Sequence, residues 1–182
     1  NEAIKFYKKS IDLNYVEKRN AYNNIGNILL RQKKRLLSLK YFKKAYELDK
    51  KNIHIIGNLL SNYVVLRDIS NLEFYLKKLY SLDKNSLLFL VYKAELLILK
   101  NKIDQAKEIL SQHLDDARFA TKLIGIHLNI GEYQIGKELF YKIKNKICND
   151  PNYNDFIATT LLYDGNFEEG FKFYDKRNSK SI

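Results

Sequence analysis

A cluster of asparagines near the N-terminus is the feature of this sequence best suited to binding another molecule. Four residues recur every three or four positions, so they would lie along one side of a helix; they are Asn20, Asn23, Asn27 and Arg31. Asn24 lies beside them. A carboxamide donates to a peptide carbonyl and accepts from a peptide N–H at the same time. Such a row of amides can hold an extended backbone whatever side chains that backbone carries.

Similar side chains follow in the next helical segment. Asn58 comes 34 residues after Asn24, and His54 and Ser61 are its neighbours in sequence. We include these three residues in the predicted peptide-binding set. Two simpler interpretations stay open: the asparagines reflect the composition of the whole chain, or Asn20 caps the start of a helix.

No arrangement of residues indicates an enzyme. His54, His113 and His127 lack the spacing of metal ligands, and the last two fall at core-facing positions. The sequence contains no glycine-rich phosphate loop. We expect Cys148 to be a packing residue and 115–116, an Asp-Asp pair, to cap a helix. We therefore predict no catalytic residue, no metal site and no cofactor.

The chain is strongly basic, with 32 Lys and Arg against 21 Asp and Glu, a net charge of +11. Such an excess makes nucleic acid or another polyanion a partner to consider. The alternative is compositional drift in an AT-rich genome, in which solvent-facing positions become Lys and Asn. We favour drift because lysine, asparagine, isoleucine and tyrosine are all abundant, while tryptophan and methionine are absent.

Two further features indicate the cellular compartment of the protein. No run of eighteen apolar residues occurs, so we predict no membrane-spanning helix. The chain has one cysteine, which excludes an intrachain disulfide and suits a reducing compartment. We therefore expect a cytoplasmic protein.

The elements that would position these side chains recur with a period near 34 residues. Six similar helical segments each carry a large residue, with spacings of 35, 34, 34, 30 and 34; these residues are Tyr7, Phe42, Leu76, Leu110, Phe140 and Tyr174. Four positions earlier the residue is mostly small, at Ala3, Ser38, Leu72, Ala106, Gly136 and Gly170. Apolar helical patterns also precede all but the first of these segments, at 21–30, 56–66, 87–99, 119–128 and 155–163.

The period implies stacked helical hairpins. One hairpin cannot bury its apolar face alone, whereas stacked hairpins share a continuous core. The recurring Tyr, Phe and Leu residues are therefore predicted to pack inside. The Lys-Lys pairs at 8–9, 43–44 and 77–78 are predicted to face solvent.

This pattern resembles the tetratricopeptide repeat family. One unit matches at Tyr22, Ile25-Gly26, Leu29, Ser38, Phe42, Ala45 and Leu48. The next matches at Ile56, Leu59-Leu60, Tyr63, Leu72, Leu76, Leu79 and Leu82. The resemblance covers essentially the whole chain and implies an all-α, right-handed superhelical solenoid of antiparallel helix pairs.

On this basis, residues 1–182 are predicted to form a single repeat domain. It would consist of a leading second helix, 1–14, and five repeats at approximately 16–50, 52–84, 85–115, 116–149 and 152–182. The shorter spacing between Leu110 and Phe140 predicts an irregularity in the fourth repeat.

The resemblance also bears on the asparagines. In tetratricopeptide proteins the first helix of each pair lines the concave surface, and some members hold peptides with asparagines at the position that matches Asn24 and Asn58. The later units depart from this pattern, with Tyr92, Lys122 and Phe156 at the equivalent positions.

The last segment, 164–177, resembles the repeat found just before glycosyltransferase domains in many bacterial tetratricopeptide proteins. The matching residues are Gly165, Phe167, Glu169-Gly170-Phe171, Tyr174 and Arg177. This resemblance implies that a catalytic domain follows in a longer protein. Because the chain begins without Met and partway into a repeat, we expect it to be a fragment.

Together these features predict a non-catalytic interaction module. It would bind an extended peptide or a partner protein in its concave groove, as the accessory region of a bacterial glycosyltransferase or in a cell-envelope assembly. The alternatives are a structural spacer or oligomerisation module, and a weak binder of nucleic acid or another polyanion.

Overall fold

The computed structural model describes residues 2–13, 17–84 and 86–178. Over these residues every regular element is helical, with eleven α-helices and one short 3-10 helix. The chain divides into two compact units, Asn1–Asn101 (unit 1) and Lys102–Ile182 (unit 2).

Unit 1 contains six helices. They are α1 (Glu2–Asp12), α2 (Lys18–Arg31), α3 (Arg35–Leu48), α4 (Ile53–Leu66), α5 (Ile69–Leu82) and α6 (Leu87–Leu99). Local capping explains two of the starts. The side chain of Asn52 accepts hydrogen bonds from the backbone N–H groups of His54 and Ile55, and Asp68 accepts from that of Asn71.

The core of unit 1 lies between consecutive helices and is built from the recurring residues. Phe42, Ile56, Leu59 and Leu79 are fully buried in one cluster. Gly26 allows the closest approach, because a Cβ atom there would lie 2.6 Å from the ring of Phe42. At the Ile25-Gly26 position of the repeat pattern, glycine is therefore needed because a side chain would collide with Phe42.

Unit 2 contains five helices and the 3-10 helix. They are α7 (Ile103–Ser111), α8 (Ala117–Asn129), α9 (Tyr133–Ile147), the 3-10 helix (Pro151–Tyr153), α10 (Asn154–Tyr163) and α11 (Phe167–Asn178). Its main cluster includes Ile124, Phe140, Ile147, Ile157 and Leu161, all fully buried.

Glycines serve both turns and close packing in unit 2. Gly131 and Gly165 have φ of +86° and +78°, in the left-handed region that favours glycine, where one helix ends and the next begins. A Cβ atom at Gly136 would lie 3.0 Å from Leu128, and one at Gly170 would lie 2.9 Å from Leu162.

The predicted packing phase agrees with the structure except at the two ends. Phe42, Leu76, Leu110 and Phe140 are buried, and their small partners from Ser38 to Gly170 are buried as well. Tyr174 was predicted to occupy the same position but is 40% exposed, and its neighbour Phe173 is buried instead at 6%. In the last helix, Phe173 packs into the unit 2 cluster, so the packed position is displaced by one residue.

Ala3 differs in a similar way at the other end. It is the small residue of its segment, as Ser38 and Gly136 are of theirs, but unlike them it is exposed on α1. Tyr7, four positions later, is half-buried. The small-residue rule therefore holds only where another helix covers the face that the small residue presents.

The short spacing between Leu110 and Phe140 arises at α7. This helix has nine residues, whereas α3 and α5 have fourteen each. Asp116 then caps α8, its carboxylate accepting from the backbone N–H of Arg118 at 2.9 Å. The predicted capping role of the Asp-Asp pair thus belongs to Asp116.

Two helices fall within the sequence bounds of each of the five predicted repeats: α2 and α3, α4 and α5, α6 and α7, α8 and α9, and α10 and α11. The boundary between the two units falls between α6 and α7, inside the third predicted repeat. Residues at several predicted repeat ends, 1, 14, 16, 85 and 179–182, lie outside the described part of the chain. The single 1–182 repeat domain therefore stays a prediction.

The other residues considered for chemistry occupy structural positions. His127 is buried and His113 packs its ring 4.9 Å from that of Phe119, whereas His54 is exposed. Cys148 is a half-buried free thiol. Within residues 2–13, 17–84 and 86–178, no group of His, Cys, Asp or Glu has the arrangement of a metal site. Likewise, none of the helices described has both the length and the apolar character of a membrane span.

Candidate peptide-binding face

The predicted asparagine set lies on the first helices of unit 1, on α2 and α4. Asn23 and Asn58 are brought together across these two helices, with Asn58 Nδ2 donating to Asn23 Oδ1 at 2.9 Å. Both side chains are half-buried. This contact joins the two predicted halves of the set.

The amide pair keeps part of its hydrogen-bonding capacity. Within the described part of the chain, Asn23 Nδ2 and Asn58 Oδ1 have no further partner. One donor and one acceptor thus remain side by side, which is the combination that a peptide unit needs. Asn27, one turn further along α2, is half-buried, and its amide makes no hydrogen bond to another described residue. It therefore adds a second donor and acceptor.

Asn24 turns away from this pair. Its Nδ2 atom donates to the hydroxyl of Tyr7 on α1 at 3.2 Å. The two asparagines that match the family's peptide-holding position, Asn24 and Asn58, therefore both have partners inside the protein. Their hydrogen bonds run in different directions, one toward α1 and one toward α2.

Asn20, Arg31 and His54 lie at helix ends and are exposed. Asn20 Nδ2 donates to Glu17 at 2.8 Å, and Glu17, not Asn20, occupies the capping position of α2. Arg31 is the last residue of α2, and His54 lies in the first turn of α4. The structure does not bring these three residues together.

An ion pair orients the start of α2. Arg19 Nη1 lies 2.6 Å from Asp49 Oδ2 at the end of α3. This hydrogen bond holds the pKa of the Asp49 carboxyl below its ordinary value. The contact fixes the end of α2 that carries Asn20.

Two residues outside the predicted set belong to the same face. Asn62 is fully buried and donates from Nδ2 to the backbone carbonyl of Asn58 at 2.8 Å. Tyr92 on α6 donates from its hydroxyl to the carbonyl of Gly57 at 3.1 Å. Asn62 had a signal in the sequence, since it follows Asn58 by four residues on the same helix. Tyr92 occupies in the third repeat the position that Asn58 occupies in the second, and its longer side chain reaches the backbone of α4.

Ser61 is half-buried on α4, three residues after Asn58. The equivalent positions of unit 2, Lys122 and Phe156, are half-buried on α8 and α10. A cation and an aromatic ring cannot donate to and accept from a peptide unit together, so the amide character of this face is confined to unit 1.

Comparisons with known proteins bear on the fold. No protein-family model matches the sequence, and no curated protein matches it either. Solved structures do match. A tetratricopeptide repeat protein of Thermus thermophilus has a TM-score of 0.65 at 14% identity, over 90% of this chain and 91% of that one.

Two other solved structures are similar. A tetratricopeptide repeat protein of Parabacteroides merdae has a TM-score of 0.61 at 17% identity, over 98% of this chain and 72% of that one. YrrB, a tetratricopeptide repeat protein with an unusual peptide-binding site, has a TM-score of 0.53 at 17% identity, over 96% and 92%. With identities this low, the comparisons show the fold alone: the chain has the all-α helical-repeat fold of the tetratricopeptide repeat proteins, as the sequence predicts.

Proposed function

We propose that the protein is a non-catalytic interaction module that binds an extended peptide along the α2–α4 face. The observation that carries the proposal is the Asn23–Asn58 pair, which leaves one amide donor and one acceptor adjacent. Asn27 extends this capacity along α2. An extended peptide would satisfy these groups through its backbone, with little dependence on its side chains.

The similarity to YrrB supports a peptide ligand, since that protein of the same fold has a peptide-binding site. The face itself supports it further. Asn24 joins α2 to α1 and Tyr92 joins α6 to α4 through hydrogen bonds, so the helices that frame the site are held before a ligand arrives. Preorganisation of this kind lowers the entropy cost of binding.

Asn27→Ala tests the proposal most directly, because the side-chain amide of Asn27 makes no hydrogen bond to another described residue. Ligands would be selected from a display library of unstructured peptides and titrated against parent and variant. Loss of one hydrogen-bonded amide leaves a desolvated peptide group unpaired, so we expect at least a fivefold (~1 kcal/mol) loss of affinity at an unchanged melting temperature.

The matched control is Asn129→Ala, which removes an exposed asparagine at the end of α8 in unit 2. It should leave peptide affinity unchanged. Equal affinity for the parent and Asn27→Ala would refute the α2–α4 site. A folded parent that selects no peptide at all would favour the spacer or oligomerisation alternative.

We also propose that this module belongs to a longer cytoplasmic protein and serves a bacterial glycosyltransferase. The similarity of residues 164–177 to the repeat before such domains supports the link, and the single cysteine supports the compartment. Sequencing the complete reading frame tests the first part. An open reading frame that continues past Ile182 without a sugar-transferase domain would refute it.

A further inference from the structure

The net positive charge of this chain is confined to unit 1. Residues 1–101 contain 20 Lys and Arg against 9 Asp and Glu, whereas residues 102–182 contain 12 of each. The whole excess of eleven positive charges therefore lies in one unit. Compositional drift would act on solvent-facing positions of both units alike, so this distribution requires another explanation.

In the turns between helices, unit 1 has cationic residues at two positions where unit 2 has glycine. In unit 2, the turn positions after α8 and α10 are Gly131 and Gly165, both with positive φ. The corresponding positions after α2 and α4 are Lys33, with φ of +61°, and Arg67, with φ of +54°. Residues with long side chains rarely adopt this conformation, whereas glycine does so freely. Unit 1 thus keeps a cation in a disfavoured backbone conformation at two of its three turns of this kind; the third, after α6, has Asn101 with φ of +58°.

These two turns form a surface that we call the turn face. Its cations are Arg31, Lys33, Lys34, Arg35 and Arg67. Among the described residues none of them is in an ion pair, and the one acid of the two turns, Asp68, is engaged with Asn71 as a helix cap. Exposed aliphatic side chains adjoin these cations in sequence: Leu36 at 72% and Leu37 at 50% follow Arg35, and Val65 at 57% and Leu66 at 37% precede Arg67.

Both turns lie at the same end of unit 1. Short loops make α2 antiparallel to α3 and α3 antiparallel to α4, so α2 and α4 run parallel. Asn23 and Asn58, each eight residues before the last residue of its helix, are hydrogen-bonded at 2.9 Å. The ends of the two helices are therefore level, and the cations and aliphatic side chains that follow them are neighbours.

We propose that the turn face docks on an anionic lipid bilayer. Cations beside a bilayer are attracted by anionic headgroups, and aliphatic side chains gain by entering the acyl boundary. Single-stranded nucleic acid is the weaker candidate, because it stacks its bases on aromatic rings and this surface presents leucine and valine. This proposal rests on the cations and exposed aliphatic side chains of the two turns and not on the amide groups of the α2–α4 peptide face, although Arg31 of the predicted peptide-binding set is one of these cations.

The test uses the 1–182 protein and vesicles of phosphatidylcholine with and without phosphatidylserine. We expect binding only to the vesicles that contain phosphatidylserine, weakening as salt rises. The variant combines Lys33→Gly with Arg67→Gly. It places at both turns the residue that unit 2 uses there, so the fold should be retained. Since each cation near an anionic surface contributes about fivefold, we expect roughly 30-fold weaker binding.

The control removes the same charge at the other ends of the helices, with Lys51→Gln and Lys84→Gln, both exposed. It should bind nearly as well as the parent. Leu36→Ser should weaken binding without changing the charge. An equal loss in the glycine pair and the control, or an unaffected Leu36→Ser, would overturn the docking assignment. So would turn-dependent binding of a single-stranded oligoribonucleotide in the absence of vesicle binding.

Discussion

Gly26 and Gly125 are both helical glycines, but their surroundings are opposite. A Cβ atom at Gly26 would lie 2.6 Å from the ring of Phe42, whereas one at Gly125 would meet nothing within 4 Å. Ala is the better helix former by about 1 kcal/mol. For a Gly→Ala substitution, the collision with Phe42 should therefore make the change destabilising at Gly26, whereas helix propensity should make it stabilising at Gly125.

We accordingly expect Gly26→Ala to destabilise unit 1 by about 1–3 kcal/mol, as overpacking does. Gly125→Ala should stabilise unit 2 by about 0.5–1 kcal/mol. Denaturant unfolding of both variants measures the two changes. A Gly26→Ala protein as stable as the parent would mean that Phe42 moves aside without loss of packing.

Glu132 makes stability depend on pH. Its carboxylate accepts from Lys107 Nζ at 2.9 Å and lies 2.5 Å from Nδ1 of the buried His127. These contacts, Lys107 first, hold the pKa of Glu132 below its ordinary value of 4.5. A carboxyl with a lowered pKa in the folded state stabilises the protein above its unfolded pKa, and that contribution is lost as the pH falls through the folded pKa.

Glu132→Gln should therefore lower the melting temperature at neutral pH, and its difference from the parent should shrink below about pH 4.5. Thermal unfolding between pH 3 and pH 7 measures this. Glu138→Gln, which removes an exposed carboxylate on α9, the helix that begins just after Glu132, is the control and should show a smaller effect. A difference in melting temperature that stays constant from pH 3 to pH 7 would show that the contacts of Glu132 do not depend on the charge of its carboxylate.

At the scale of the element, helix α8 is capped by Asp116, and this role can be tested separately from that of the adjacent Asp115. Asp116 accepts from the backbone N–H of Arg118, whereas Asp115 is fully exposed and only pairs with Lys146 at 3.2 Å. Asp116→Ala should cost about 0.5–2 kcal/mol, the range for a lost N-cap. Asp115→Ala should change the free energy of unfolding little, because exposed ion pairs contribute little. Equal losses would contradict the capping assignment.

The helices themselves were predictable because their apolar period is regular. Phe42, Leu110 and Phe140 follow from the spacing alone, since stacked hairpins present the same face at each step. Phe173 did not follow, because the spacing alone could not show which of the adjacent aromatic residues Phe173 and Tyr174 would enter the core. The nine-residue length of α7 appeared in the sequence only as a shortened spacing.

The candidate site was less predictable than the helices. Spacing placed Asn23 and Asn58 on equivalent helices, but it could not show that their amides would meet. Asn24 turns toward Tyr7, a choice that depends on the reach of a side chain from another helix. Side-chain pairing between helices rests on distances of a few tenths of an ångström, which periodicity does not encode.

At the scale of the molecule, the two units have separate cores. Phe42 is fully buried in the unit 1 cluster and Phe140 in the unit 2 cluster. In repeat proteins stability is approximately a sum of local and nearest-neighbour contributions. Removing either ring should therefore destabilise chiefly its own unit, by about 3–5 kcal/mol.

Phe42→Ala and Phe140→Ala form a matched pair for this test. Hydrogen exchange should lose protection mainly in α2–α5 for the first variant and mainly in α8–α11 for the second. A uniform loss across the chain in both variants would show that the two units unfold as one cooperative body.

Cys148 offers a way to watch one of these units alone. It is the single cysteine of the 182 residues, it lies just after α9 in unit 2, and its thiol is half-buried. A thiol-reactive dye therefore attaches at one position, with no background from unit 1. A fluorophore attached there would follow the unfolding of unit 2, while tyrosine emission follows the whole chain.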